Sequence, residues 1–193
     1  MKQILTNIAD LGIRFKKQVI VLAVVLVLLL PLLLENPFYQ DLMIMVFFWA
    51  TMALAWNLLG GVAGQISLGH AAFFGIGAYT STILYLSFGI SPWIGMFAGA
   101  GISVVIALML GYPCFRLTSH FFALATLAFG EVLRLLASFW RDLTNGGVGL
   151  LIPFDPGIAN FIFEDKIVYA YIMLAMLFAI LIITYYFSKS KFG

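Results

Sequence analysis

Six apolar runs, each close to the roughly 20 residues that a helix needs to cross about 30 Å of hydrocarbon, limit what this chain can fold into. They extend from Gln18 to Leu34, Leu42 to Leu59, Ala71 to Phe88, Trp93 to Tyr112, His120 to Trp140 and Ile167 to Phe187. Backbone amides and carbonyls inside a bilayer find no water, so each run must satisfy them internally, as a helix. Apolar residues make up 64% of the chain and charged residues 9%, whereas a soluble domain carries about a quarter charged residues. The expected fold class is all-α, a polytopic transmembrane helical bundle of about six spans. The first run lacks a small-residue cleavage site and is followed by further spans, so it is expected to remain in the mature chain. Residues 1–17 then form an amino-terminal segment, 18–193 the membrane domain and 141–166 its one long extramembrane loop.

Charge supplies the orientation. Lys2, Arg14, Lys16 and Lys17 precede the first span, and alternation puts Arg116, Lys189 and Lys191 on the same side, with Asp10 as the one acid there. The other side receives Glu35, Asp41, Glu131, Asp142, Asp155, Glu164 and Asp165 beside Arg134, Arg141 and Lys166. The positive-inside rule makes the basic side cytoplasmic, with both termini of this chain on it. The short basic clusters are juxtamembrane, where anionic lipid is their partner and nucleic acid is not expected. A single cysteine, Cys114, excludes an internal disulfide and a multi-cysteine zinc site.

Between the second and third runs the sequence reads NLLGGVAGQISLGHAAFFGIGAY over 57–79, which mixes glycines, an amide and a hydroxyl into membrane-length apolar sequence. Irregular backbone at membrane depth survives only where protein buries it or a cavity solvates it, so a glycine-rich broken or re-entrant segment marks a candidate translocation path. Gly60, Gly61, Gly64, Gln65, Ser67, Gly69 and His70 are the residues assigned to it. A half-helix beginning near Ser67 would present free amide groups to a carboxylate. The plainer alternative is a cytoplasmic loop that turns the chain. Small residues also recur four apart at Gly60 and Gly64, Ala71 and Gly75, and Gly95 and Gly99. Gly95 and Gly99 lie in a plain apolar span and are expected to serve close helix packing.

Glu131 and Arg134 are three apart and share a face of the fifth helix, as an ion pair with a structural or partner-docking role. With only His70 and His120 present and no acid at ligand spacing from either, a metal site has little support. The segment Arg141 to Lys166 carries a turn signal at Asn145, Gly146 and Gly147, then Pro153 and Pro156, which stop regular helix. Its length suits a partner-docking ridge or a helix lying on the membrane surface. No phosphate-binding glycine–lysine loop, serine elbow, acidic dyad or zinc helix occurs, so the chain is read as a transport subunit that is not an enzyme and binds no cofactor of its own.

The stretch 57–79 resembles the signature of the LivM-type permease subunits of branched-chain amino acid ABC importers. FALATLAFGEVLR over 122–134, followed by TNGGVGL over 144–150 and by Ile152 and Pro153, resembles the next block of that family in order and spacing. The resemblance covers about Trp56 to Pro153; the remaining spans fit by hydropathy. It implies a bacterial inner-membrane permease domain that pairs with a homologous LivH-type permease, two cytoplasmic ATP-binding subunits holding ATP and Mg, and a periplasmic amino-acid-binding protein docked near 141–166. Related permeases for urea and short amides share much of the pattern. A stand-alone channel or secondary carrier is the reading from another class, with Glu131 as its one candidate coupling acid. Members of the resembled family run on well past this length, so Gly193 is expected to be a truncation point ahead of the loop that contacts the ATPase.

Overall fold

In the computed structural model, residues 18–19, 22, 24–34, 36–114 and 119–189 are described. The basic residues up to Lys17, Asp10, Glu35, Arg116, Lys191 and the end at Gly193 lie outside them. Helix α1 covers Val24–Leu33, α2 Pro37–Asn57, α3 His70–Phe88, α4 Pro92–Cys114, α5 Ser119–Phe139, α6 Arg141–Thr144 and α7 Lys166–Lys189. Five of them, α2, α3, α4, α5 and α7, are long and apolar enough to cross a membrane, and α1 is a shorter apolar helix among the described residues. The chain is an all-α multi-pass membrane protein. Asn36 caps α2 by accepting from the Phe38 amide at 3.0 Å, with Pro37 at the first helical position, where a missing N–H costs nothing.

Two helix groups make up the bundle. In the first, α2 and α7 bury Met43 and Phe47 against Ala170 and Leu174, and Val27 and Leu30 of α1 pack on the same cluster. The Tyr171 hydroxyl donates to the Leu28 carbonyl at 3.1 Å, and Gln40 Nε2 donates to the Leu34 carbonyl at 2.8 Å, so polar side chains settle the backbone where α1 ends. Lys166 and Asp41 pair at 2.5 Å and tie the start of α7 to the start of α2 at what is here named the loop end. Both side chains are exposed, so the pair orients the helix ends more than it stabilises them.

The second group is built on α3, which packs along α4 and against α5. Its contact with α4 is a ladder of small residues in steps of four. The Ser103 hydroxyl meets the Phe73 carbonyl at 3.2 Å, Gly99 lies against Gly77, and Gly95 against Ser81. Rising numbers on one helix match falling numbers on the other, so the two run antiparallel. A Cβ at Gly99 would sit 2.9 Å from both the Cα and the carbonyl oxygen of Gly77, so the backbones touch. The packing role expected for Gly95 and Gly99 holds, and Gly77 is their counterpart. Gly89, at φ 65, stops α3, its amide bonding to Tyr85 and that of Ile90 to Leu84.

The long extramembrane segment is compact. Asn145 (φ 59) and Gly146 (φ 62) form the turn its sequence signals, and Thr144 Oγ1 donates to the carbonyls of Ala137 and Trp140. A tight hairpin follows, closed by the antiparallel bridge between Gly157 and Ile162.

Gly99→Leu should destabilise the bundle by about 1–3 kcal/mol, the usual cost of overfilling a packed contact. Gly101→Leu, whose Cβ meets nothing within 4 Å, should leave stability unchanged. Thermal unfolding of both variants in detergent measures the difference.

Candidate functional site

Helix α2 does not end cleanly. Its last turn widens into a π-helical stretch, Leu58–Val62, which two consecutive glycines favour because their backbone is unconstrained. A Cβ at Gly60 would lie 3.2 Å from the Trp56 ring, and one at Gly61 would collide with the Asn57 amide. These glycines therefore make room for the two side chains one turn earlier. Gly64 then adopts φ 67, a left-handed conformation that a side chain disfavours, and the chain reverses.

The returning strand is stitched to helices on both sides. Trp56 Nε1 donates to the Ser67 carbonyl at 2.8 Å, which brings Ser67 back level with Trp56. The Leu68 amide donates to Thr126 Oγ1 at 3.1 Å, while that hydroxyl donates to the Ala123 carbonyl at 2.9 Å. Ser67 and Thr126 are each only 2% exposed. Gly69 lies directly on α5, where a Cβ would stand 2.8 Å from the Thr126 carbonyl carbon, and Gly130, one turn on, faces Gly69 and Ala72.

Depth follows from these contacts. Thr126 is seven residues, about 10 Å, beyond the first residue of α5. In the α3–α4 ladder, three residues of α3 lie beyond Phe73 but eleven of α4 lie beyond Ser103, so α4 outlasts α3 by about eight residues or 12 Å. The glycine break thus lies alongside helical turns of its neighbours. It is recessed relative to the end of α4 and the start of α5.

Helix α3 begins at His70, not near Ser67 as the sequence suggests. The Ser67 carbonyl and the Leu68 amide are already engaged by Trp56 and Thr126, so helical bonding starts only after Gly69. Gly69 offers no side-chain cap, and His70 is half-buried at the first position. Gln65 has a buried side-chain oxygen that finds no donor among the described residues, an arrangement native proteins keep rare. The assigned residues therefore divide. Gly60, Gly61, Gly64, Ser67 and Gly69 shape and anchor the turn, whereas the Gln65 and His70 side chains take no part in the bonds that hold it.

Glu131 and Arg134 pair with each other through two contacts, Nε to Oε2 at 2.9 Å and Nη2 to Oε1 at 2.6 Å, on the exposed face of α5. They do not join the glycine turn. Sequence reasoning missed Thr126 and Trp56. Thr126 had a legible signal, since it is the one hydroxyl between His120 and Glu131. Among the described residues no three His, Cys, Asp or Glu side chains lie close enough to hold a metal ion.

Comparison with known proteins places these residues in a wider set. A family model described as branched-chain amino acid transport system / permease component matches residues 38–193, which includes the glycine turn and the α5 residues that hold it. Over 110 residues the chain is 31% identical to the high-affinity branched-chain amino acid transport system permease protein LivM of Salmonella typhimurium, covering 57% of this chain and 26% of that protein. Over 130 residues it is 30% identical to the LivM protein of Escherichia coli K12, covering 65% and 31%. The matched part is thus between about a quarter and a third of the length of these curated relatives. No solved structure matches the chain.

Thr126→Val would leave the Leu68 amide without its acceptor, at a cost of about 1–3 kcal/mol. Hydrogen exchange should therefore accelerate over residues 64–70 and stay unchanged in α7. Gly69→Ala should have a larger effect than Gly75→Ala on the melting temperature, because a Cβ at Gly75 meets nothing within 4 Å.

Proposed function

This chain belongs to the branched-chain amino acid transport system permease component family, and on that premise we propose that it forms one half of the membrane path of an ATP-driven importer for leucine, isoleucine and valine. The observation that carries the reading is the family match across residues 38–193, which takes in a backbone break held beside α5 by Trp56 and Thr126. Irregular backbone between spans needs protein or a water-filled cavity around it, and in transporters discontinuous helices typically form the solute site. Gln65 and His70, at the reversal and at the α3 start, are the groups assigned to meet the solute as it passes.

The proposal places the glycine end toward the cytoplasm and the loop end outside, in a bacterial inner membrane, on the strength of the positive-inside distribution of Lys and Arg. A homologous permease would complete the path, two cytoplasmic subunits would bind ATP and Mg, and an external binding protein would deliver the amino acid beside 141–166. A permease of this kind needs little affinity of its own, which suits its sparse polar groups. Glu131, the one coupling acid a secondary carrier would use, is paired with Arg134 on the exposed face of α5, away from the glycine break.

Purification from native membranes in mild detergent should recover a second permease and an ATPase, and uptake of labelled leucine should depend on this chain. Recovery of the chain alone, or uptake of urea in place of leucine, would overturn the reading. Gly64→Leu should reduce leucine uptake at least tenfold with insertion preserved, since it forces a side chain into the left-handed turn. Glu131→Gln should leave the pH profile of uptake as it was.

A further inference from the structure

Resting on the importer reading, we infer that the groove between α3 and α4 is a chamber for the aliphatic side chain of the transported amino acid, covered on its outer side by Phe161. The groove holds a cavity of about 470 Å³, within the roughly 300–1,000 Å³ of small-ligand sites. Along α3 it extends from Phe73 to Tyr85, twelve residues or about 18 Å. It therefore begins one turn from His70 and continues to the loop end. Gly77 and Ala100 keep its two walls low, which is why space remains where the helix backbones come together.

The chemistry of the wall selects the occupant. No charged residue lines it. The hydroxyls of Ser81 and Ser103 are turned onto the carbonyls of Pro92 and Phe73, and the Asn160 amide onto Asp155. Among the described residues only the Thr82 and Tyr85 hydroxyls of the lining make no hydrogen bond. An ammonium or carboxylate finds no counter-charge there, whereas a branched alkyl group finds aromatic and methyl surface, with two hydroxyls near the mouth for its polar end.

The cover is built separately from the chamber. Phe161 stands at the tip of the hairpin closed by Gly157 and Ile162, with φ 56, in the region that favours glycine. Its ring is held edge-on by Trp93 at 4.8 Å and by Tyr169 at 6.2 Å, so it bridges the starts of α4 and α7. Trp93 Nε1 donates to the Ile158 carbonyl at 2.8 Å, and the Ser91 hydroxyl donates to that of Ala159. These contacts hold the hairpin by its turn against the start of α4.

The test uses the full transporter in native membranes, with Thr82→Cys introduced into a Cys114→Ala background so that the chamber carries the single thiol of this chain. The measured quantity is its rate of modification by a membrane-impermeant thiol reagent added outside. Leucine at about ten times its Kd should slow modification about tenfold, as occupancy requires, and urea should not. Phe161→Ala should raise the ligand-free rate several-fold. Equal rates with and without leucine, in a system whose unmodified form takes up leucine, would overturn the chamber while leaving the importer reading intact. An unchanged rate in Phe161→Ala would overturn the cover, and a thiol that reacts in no state would show the groove filled by lipid or protein, against the inference. Ala78→Cys gives the same measurement should the Thr82 variant fail to reach the membrane. Loss of the importer reading shows separately, as absence of leucine uptake by the unmodified transporter.

Discussion

The contact between Gly69 and the α5 backbone at Thr126 is the constraint on which the site depends. A chain that reverses inside hydrocarbon must hand its freed amides and carbonyls to other partners. Here the Thr126 hydroxyl takes the Leu68 amide and the Trp56 indole satisfies the Ser67 carbonyl. The first of these bonds requires the returning segment to lie against α5 closer than any side chain at 69 would allow. Gly130, one turn further along α5, extends the same close approach to Ala72 and so sets where α3 starts.

From that start the α3–α4 ladder sets the rest of its half of the molecule. Pairing Gly77 with Gly99 and Ser81 with Gly95 draws two backbones together, and without a hydrophobic drive between helices in lipid, such packing is what holds them. Small residues that permit close approach on the ladder also leave space beside it. Gly77 is both a rung and part of the cavity wall. The other half, α1 with α2 and α7, is held by larger side chains around Leu174 and Ala170, and its link to the first half is aromatic, through Phe48 on Phe74 and the Phe161 cluster.

Much of the fold was legible because a bilayer imposes length and apolarity on every span. The runs opening at Ala71 and Trp93 match α3 and α4 within a residue at their starts, and Asn145 and Gly146 turn where their residue types require. The glycine break was legible too, since Gly64 and Gly69 sit where only glycine fits. What each polar group touches was not. Ser67 reads as a helix start but is a buried residue of irregular backbone, because its carbonyl is taken by Trp56, 11 positions before it, and the next amide, of Leu68, by Thr126, 58 positions further on. The Glu131 and Arg134 pair was visible from spacing alone, since three residues on a helix is a local relation.

The sequence by itself determined the class, the spans, the break and the family pattern, because hydropathy, glycine geometry and helical spacing act over short stretches of chain. The fold in three dimensions set the rest: that the break is recessed beside α5, that Thr126 and Trp56 hold it, and that Phe161 lines a cavity between α3 and α4. Those outcomes depend on residues 11 to 68 positions apart meeting in space, as Trp56 meets Ser67, Leu68 meets Thr126 and Ser91 meets Ala159, and no local periodicity encodes which distant surfaces pack together.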